Sequence, residues 1–218
     1  MARIKYIRDP PFIKQEDINA KRGINALELG SGNGFLSVCL MALAENQSIP
    51  LREVVVTDLS DHLKLMKKTI DKNNHVYNTR TMFEPYEDYE TDEHIRTSWG
   101  ELEEDLEVII AEHKWGRFPS KGSTEDKHDD HLQTKKYDFI FGSDLAYRNS
   151  LHDILISSLL QFTHEHTLCL IGVTMTDTQP VFFDKLTKAG FRYEKLADHL
   201  LEKEFRGSNF GIFVIQRR

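Results

Sequence analysis

The sequence predicts an α/β fold: a seven-stranded, mostly parallel sheet with helices on both faces and an antiparallel strand at its C-terminal end. Three observations carry that expectation. Apolar, strand-favouring runs alternate with segments of helical periodicity from residue 24 to residue 189, the pattern of repeated strand–helix units. Glycines at 30, 32 and 34 stand between the first strand and the first helix. The last two strands follow each other without a helix between them, so one of them runs back along the sheet.

Taken in order, Ile24–Leu29 reads as a strand, Phe35–Glu45 as a helix and Glu53–Thr57 as a second strand. Residues 59–73 place Leu59, Leu63, Met66 and Ile70 at helical spacing. A third strand is expected over His94–Trp99. A helix is expected over 101–114, where Leu102, Leu106, Ile109 and Ile110 form one stripe. Residues 119–136 are charged and rich in breakers, which predicts a solvated loop. Tyr137–Gly142 is the fourth strand, Ser150–Phe162 a helix and Thr167–Met175 a fifth strand buried on both faces. Val181–Ala189 makes the last helix, stopped by Gly190, and Phe191–Leu196 and Asn209–Gln216 are the closing strands.

At 218 residues the chain is expected to form one domain over residues 23–218, with residues 1–22 as a short extension and the 119–136 loop as an insertion. A net charge of −7 argues against a general grip on nucleic acid and for a basic partner. No run approaches the ~18 apolar residues of a membrane span, and the N-terminus lacks the apolar stretch of a secretory signal. The two cysteines, Cys39 and Cys169, lie among apolar residues and are expected as reduced core thiols of a cytosolic or nuclear protein. No metal is expected. His128, Asp129, Asp130 and His131 sit in the charged loop without a second ligand set, and His164–His166 reads as a polar turn.

The glycine loop, E-x-G-x-G-x-G from Glu28 through Gly30, Ser31 and Gly32 to Gly34, carries the first chemistry. A dinucleotide would want G-x-G-x-x-G, but Phe35 stands where its last glycine belongs. The spacing suits S-adenosylmethionine, which has no phosphate and needs carboxylates about its ammonium and ribose. A dinucleotide and a tight turn without ligand stay open as alternatives. Asp58 ends the second strand, where it can hold ribose hydroxyls or cap the helix that follows. Trp99, near the end of the expected third strand, offers a flat face to adenine or else supports the acidic segment after it. Asp144 follows the fourth strand and Tyr147 comes three residues later, which brings both onto one side at the mouth of the crevice. There they can orient an incoming amine. The alternative is that Asp144 caps the next helix and Tyr147 packs in the core.

Taken together, E-x-G-x-G-x-G at 28–34, Asp58, S-W-G at 98–100 and D-x-x-Y at 144–147 resemble the seven-β-strand protein-lysine methyltransferases of methyltransferase family 16, in particular the methyltransferase-like 21 group. The resemblance runs from about Ile24 to the C-terminus and implies a Rossmann-like fold, S-adenosylmethionine as methyl donor and a lysine of a specific non-histone protein as acceptor. Chaperones, AAA ATPases and translation factors are the kinds of partner it implies for a monomeric enzyme. It also implies that Gly30, Ser31 and Gly32 line the cofactor, that Asp58 holds the ribose, that Trp99 and Ser143 contact the adenosyl group, and that Asp144 and Tyr147 meet the substrate lysine. One departure stands out. The family carries an N-terminal Trp-Pro segment that closes over the cofactor, whereas the tryptophans here are Trp99 and Trp115. Arginine, histidine or small-molecule acceptors, and an inactive interaction module without that lid, remain the alternatives.

Overall fold

The computed structural model describes residues 6–7, 23–74, 79–83, 106–116, 132 and 135–218. Among these, nine strands form one sheet: β1 (Tyr6–Ile7), β2 (Ile24–Leu29), β3 (Leu51–Asp58), β4 (Thr79–Phe83), β5 (Leu106–Glu112), β6 (Phe139–Ser143), β7 (Leu168–Thr174), β8 (Phe191–Leu196) and β9 (Phe210–Arg217). Their order across the sheet is β1-β8-β9-β7-β6-β2-β3-β5-β4. Every pairing is parallel except those of β9, which lies antiparallel to both β7 and β8. The helices are α1 (Phe35–Gln47), α2 (Leu63–Asn73), α3 (His152–Phe162) and α4 (Pro180–Lys188).

The two-residue period of the strands sorts side chains onto two cores. Ala26, Val54, Val56, Val108, Ile110 and Phe141 face Val38 and Met41 of α1 and Leu63, Met66 and Ile70 of α2. Leu27, Leu29, Val55, Ile140 and Ile171 turn the other way, toward Leu155, Leu159 and Phe162 of α3 and Phe182 and Leu186 of α4. Strands buried on both faces must be apolar throughout rather than alternating, which is why Val54–Val56 and Val108–Ile110 read as unbroken β-branched runs.

Two expectations change. The helix foreseen over 101–114 is strand β5 where it is described, lying between β3 and β4. Leu106, Ile109 and Ile110 match a helical stripe, but Val108, Ile109 and Ile110 are β-branched and favour the pleated form when both faces are covered. Cys39 is exposed on α1 instead of lying in the core, while Cys169 is buried, and both are free thiols. The His94–Trp99 strand lies outside the described residues, as does the charged loop apart from Leu132, Lys135 and Lys136.

Close packing fixes where β6 can sit. A methyl group at Gly142 would come within 2.7 Å of both Leu145 Cδ1 and the Leu29 carbonyl oxygen. Gly142→Ala should therefore overpack the junction of β6 with β2 and lower unfolding free energy by about 1–3 kcal/mol, read as a shifted urea midpoint at unchanged slope.

Candidate functional site

Parallel pairing sets the carboxyl ends of neighbouring strands side by side. Leu29 lies beside Thr57, Asp58 beside Glu112, and Glu28 beside Phe141. The glycine loop, Asp58, the turn after β5 and the segment after β6 thus share one edge of the sheet, where open α/β sheets hold their ligands.

Gly30 and Gly32 both have left-handed backbones, with φ of 63° and 61°. Their surroundings differ. A Cβ at Gly30 would meet Leu145 Cδ2 at 2.8 Å and Trp115 Cζ2 at 3.1 Å, whereas one at Gly32 would meet no heavy atom within 4 Å. Gly30 is thus needed for the fit of the loop, and Gly32 leaves room on the open side. The loop is tied to β3 by Ser31 N–H donating to the Thr57 carbonyl at 3.0 Å and Gly32 N–H donating to Asp58 Oδ2 at 2.6 Å. Asp58 Oδ1 accepts from Leu59 N–H at 2.7 Å. Asp58 does not cap a helix: the helical turn after it begins at Ser60 with Leu59 at the cap and no side-chain bond. A carboxylate has about four acceptor positions, so about two remain for ligand hydroxyls. Gly34, the last glycine, starts α1 beside Met66.

Glu28 lies on the α1 face of β2 and is only 2% exposed. Its Oε2 accepts the Ser37 hydroxyl from the first turns of α1, and its carbonyl accepts the Thr57 hydroxyl at 2.6 Å. Burial pushes its carboxyl up to about 7, against the opposing pull of the Ser37 hydrogen bond. Glu28 therefore fastens β2 to α1 beneath the loop and is poised to titrate near neutrality.

The tryptophan that the structure places at this loop is Trp115. It follows β5 in the turn His113–Gly116, is half-buried, and lies against Gly30. Trp99 lies outside the described residues. Trp115 was not among the residues foreseen at the site, and the signal that could have found it is the β-branched run Val108–Ile110 a few residues upstream.

After β6 the chain alternates exposed and buried residues in a way a helix does not. Ser143 is exposed at the strand's end and Asp144 beyond it is exposed, Leu145 and Ala146 are 3% and 0% exposed, and Tyr147 is 43% exposed. Asp144 adopts φ 59°, an uncommon conformation for a residue with a side chain, and Asp is among the residues that tolerate it. Its N–H donates to the Gly172 carbonyl at 2.8 Å, and its Oδ1 accepts the Thr174 hydroxyl at 3.1 Å. Tyr147 carries the Arg148 guanidinium over its ring at 5.4 Å. Neither residue takes the alternative role: helical residues resume only at Asn149, capped by Arg148 without a side-chain bond, and the Tyr147 ring is not in the core.

The class of protein follows from two findings, a shared Rossmann-like fold and a family match that makes the chain an S-adenosylmethionine-dependent methyltransferase. A TehB-like S-adenosylmethionine-dependent methyltransferase from Corynebacterium glutamicum matches in fold at a TM-score of 0.51 and 13% identity, over 91% of this chain and 83% of that one. The CurJ carbon methyltransferase matches at 0.54 and 15% identity, over 93% of this chain and 50% of that one. The methyltransferase domain of the citrinin polyketide synthase matches at 0.56 and 14% identity, over 91% of this chain and 47% of that one. Among curated proteins no significant match was found. The sequence model of methyltransferase family 16, described as lysine methyltransferase, matches residues 1–99 and 122–189, and the chain belongs to that family. The two matched segments leave out β5 and Trp115.

S-adenosylmethionine is the cofactor of this class, and the residues present fit it. The open side of Gly32 admits a ligand against the backbone, and the free acceptor positions of Asp58 suit ribose hydroxyls better than a diphosphate, while the buried Glu28 supports the loop from beneath.

The raised carboxyl of Glu28 has a stability consequence. A carboxyl held above its unfolded value favours the folded state fully at low pH, and that contribution is lost as pH rises through about 7. Between about pH 4 and pH 8, the unfolding free energy of Glu28→Gln should gain on the wild type by about 3 kcal/mol, measured by urea denaturation across pH.

Proposed function

We propose that this chain transfers a methyl group from S-adenosylmethionine to a lysine side chain of a specific non-histone protein. The observation that carries the reading is the outward pair Asp144 and Tyr147, separated by two buried residues at the end of β6. The description of the family as lysine methyltransferase supports the acceptor, and the net charge of −7 favours a basic partner segment.

The bound cofactor supplies a methyl group on a positively charged sulfur. Asp58 and the backbone of Gly30–Gly32 hold it, with Ser143 at its rim, and Trp115 walls the cleft beside Gly30. A lysine amine has a free pKa of ~10.4, so it arrives protonated and gives that proton to solvent at the mouth of the cleft, where Asp144 and Tyr147 are both exposed, before its lone pair can attack. The Asp144 carboxylate and the Tyr147 hydroxyl accept hydrogen bonds from the arriving ammonium and fix its direction. As the amine nitrogen gains its fourth bond and positive charge, the same carboxylate stabilises it. Positioning supplies most of the effect, because transfer in line rewards a near-attack geometry over proton abstraction.

Incubating the full chain with tritiated S-adenosylmethionine and a cellular protein extract, followed by mass spectrometry of the labelled band, tests this. Methyl-lysine on a discrete protein is the expected result, and methyl-arginine, methyl-histidine or label confined to small molecules overturns the acceptor. Asp144→Ala should abolish transfer while keeping cofactor affinity within about threefold. Asp58→Ala, which removes hydrogen bonds from a charged acceptor, should weaken S-adenosylhomocysteine binding by about 10- to 100-fold in calorimetry. Equal loss of affinity in both variants would contradict this division of roles.

A further inference from the structure

We infer that His113 and Ser158 are positioning residues of the cofactor cleft: as a buried hydrogen-bonded pair they hold the turn that carries Trp115 against the glycine loop. This rests on the reading of Trp115 as a wall of that cleft.

The pair is unusual in its setting. His113 is 4% exposed and Ser158, in the middle of α3, is 0% exposed. Their neighbours are apolar: the His113 ring meets Phe162 edge-on at 4.9 Å between centroids. Burying polar groups in such a place costs free energy unless each finds a partner, and an apolar pair of similar volume fills the same space at no such cost. What the polar pair adds is direction.

The bonds show which direction. His113 N–H donates to the Asp58 carbonyl at 2.9 Å, extending the β3–β5 ladder one residue past the strand. His113 Nε2 lies 3.0 Å from Ser158 Oγ. The same oxygen accepts Gly116 N–H at 3.3 Å. One hydroxyl has one proton and two lone pairs, so beside the Gly116 N–H it either donates to Nε2 or accepts from Nε2–H, as the imidazole tautomer decides, and a neutral imidazole serves either way. Burial holds His113 down at about 4, in keeping with that form. Gly116 also lies flat against α3, since a Cβ there would meet Ile154 Cγ2 at 2.8 Å, and its φ is 75°.

The turn is thereby clamped at both ends, and only Lys114 and Trp115 stand between the clamps. Lys114 is exposed, so it is the indole whose place is decided. Its Cζ2 approaches the Cβ position of Gly30 to 3.1 Å. One residue, His113, thus links the end of β3 that carries Asp58 to the indole on the far side of the loop. Helix α3, which begins just after Asp144 and Tyr147, supplies the hydroxyl that holds them in register.

Calorimetric titration of the full chain with S-adenosylhomocysteine, set beside thermal unfolding, tests the inference in three variants. Trp115→Ala should weaken binding about tenfold or more, and Ser158→Ala should weaken it by about tenfold, the effect of losing one buried hydrogen-bonded hydroxyl. Ser158→Cys keeps the volume with a weaker partner and should fall between; it decides the matter if Ser158→Ala fails to fold. In a Trp99→Phe parent whose own S-adenosylhomocysteine affinity sets the reference, the ligand should quench the remaining Trp115 fluorescence, and Ser158→Cys should reduce that quench at saturating ligand, which a loss of stability alone would not do. If Trp115→Ala weakens binding but the folded Ser158 variants bind and quench as the parent does, the inference is overturned and the Trp115 reading stands. Wild-type affinity in Trp115→Ala overturns both.

Discussion

One leucine holds the site together. Leu145, two residues after β6, reaches under the glycine loop so closely that a methyl group at Gly30 would lie 2.8 Å from its Cδ2, and one at Gly142 would lie 2.7 Å from its Cδ1. Both glycines are bare because the leucine occupies the space their side chains would need. Burying Leu145, together with Ala146, forces the chain to leave β6 through a left-handed residue, and this turns Asp144 and Tyr147 outward. The glycine loop and the outward pair are therefore two faces of one packing event. An edge made this way is rigid, since protein interiors resist small displacements.

Ionisable groups around this junction are handled in opposite ways. Glu28 and His113 are both buried, one beneath the loop and one beneath the turn, and burial drives each toward its neutral form. Asp58 is half-buried and Asp144 exposed, and both spend oxygens on backbone or hydroxyl donors. The buried groups lie beneath the loop and the turn, and the two aspartates lie at the open edge of the sheet. The separation keeps charge away from the core, where it would cost most.

Much of this was legible in the sequence. The glycine spacing, the acid at the end of a β-branched strand and the D-x-x-Y step each occupy the edge of the sheet foreseen for them, because local chemistry dictates them: a tight turn needs glycine, and a strand's end offers its side chain to the crevice. The misread β5 has a plain cause. Leu106, Ile109 and Ile110 fit a helical stripe and an inner strand equally well, and periodicity cannot separate the two when both faces are covered. With β5 read as a helix, the place of Trp115 at a strand's end went unforeseen, while Trp99 lies outside the described residues. The grip of Asp58 on Gly32, and the burial of Glu28 against Ser37, depend on contacts 26 and 9 residues apart that no local pattern encodes.

The antiparallel β9 has a consequence for how such a chain is made. It is the last strand in the sequence, yet it lies inside the sheet, between β7 and β8, with Phe213 and Ile215 fully buried. Its two neighbours have nothing to pair with across that gap until β9 has been synthesised. The half of the sheet that carries the glycine loop and Asp58 can assemble as it emerges from the ribosome, but the half behind β7 cannot. Completion waits on residues 210–217, and a chain stopped before them would leave an interior seam open, with two unpaired strand edges of the kind that recruit other chains.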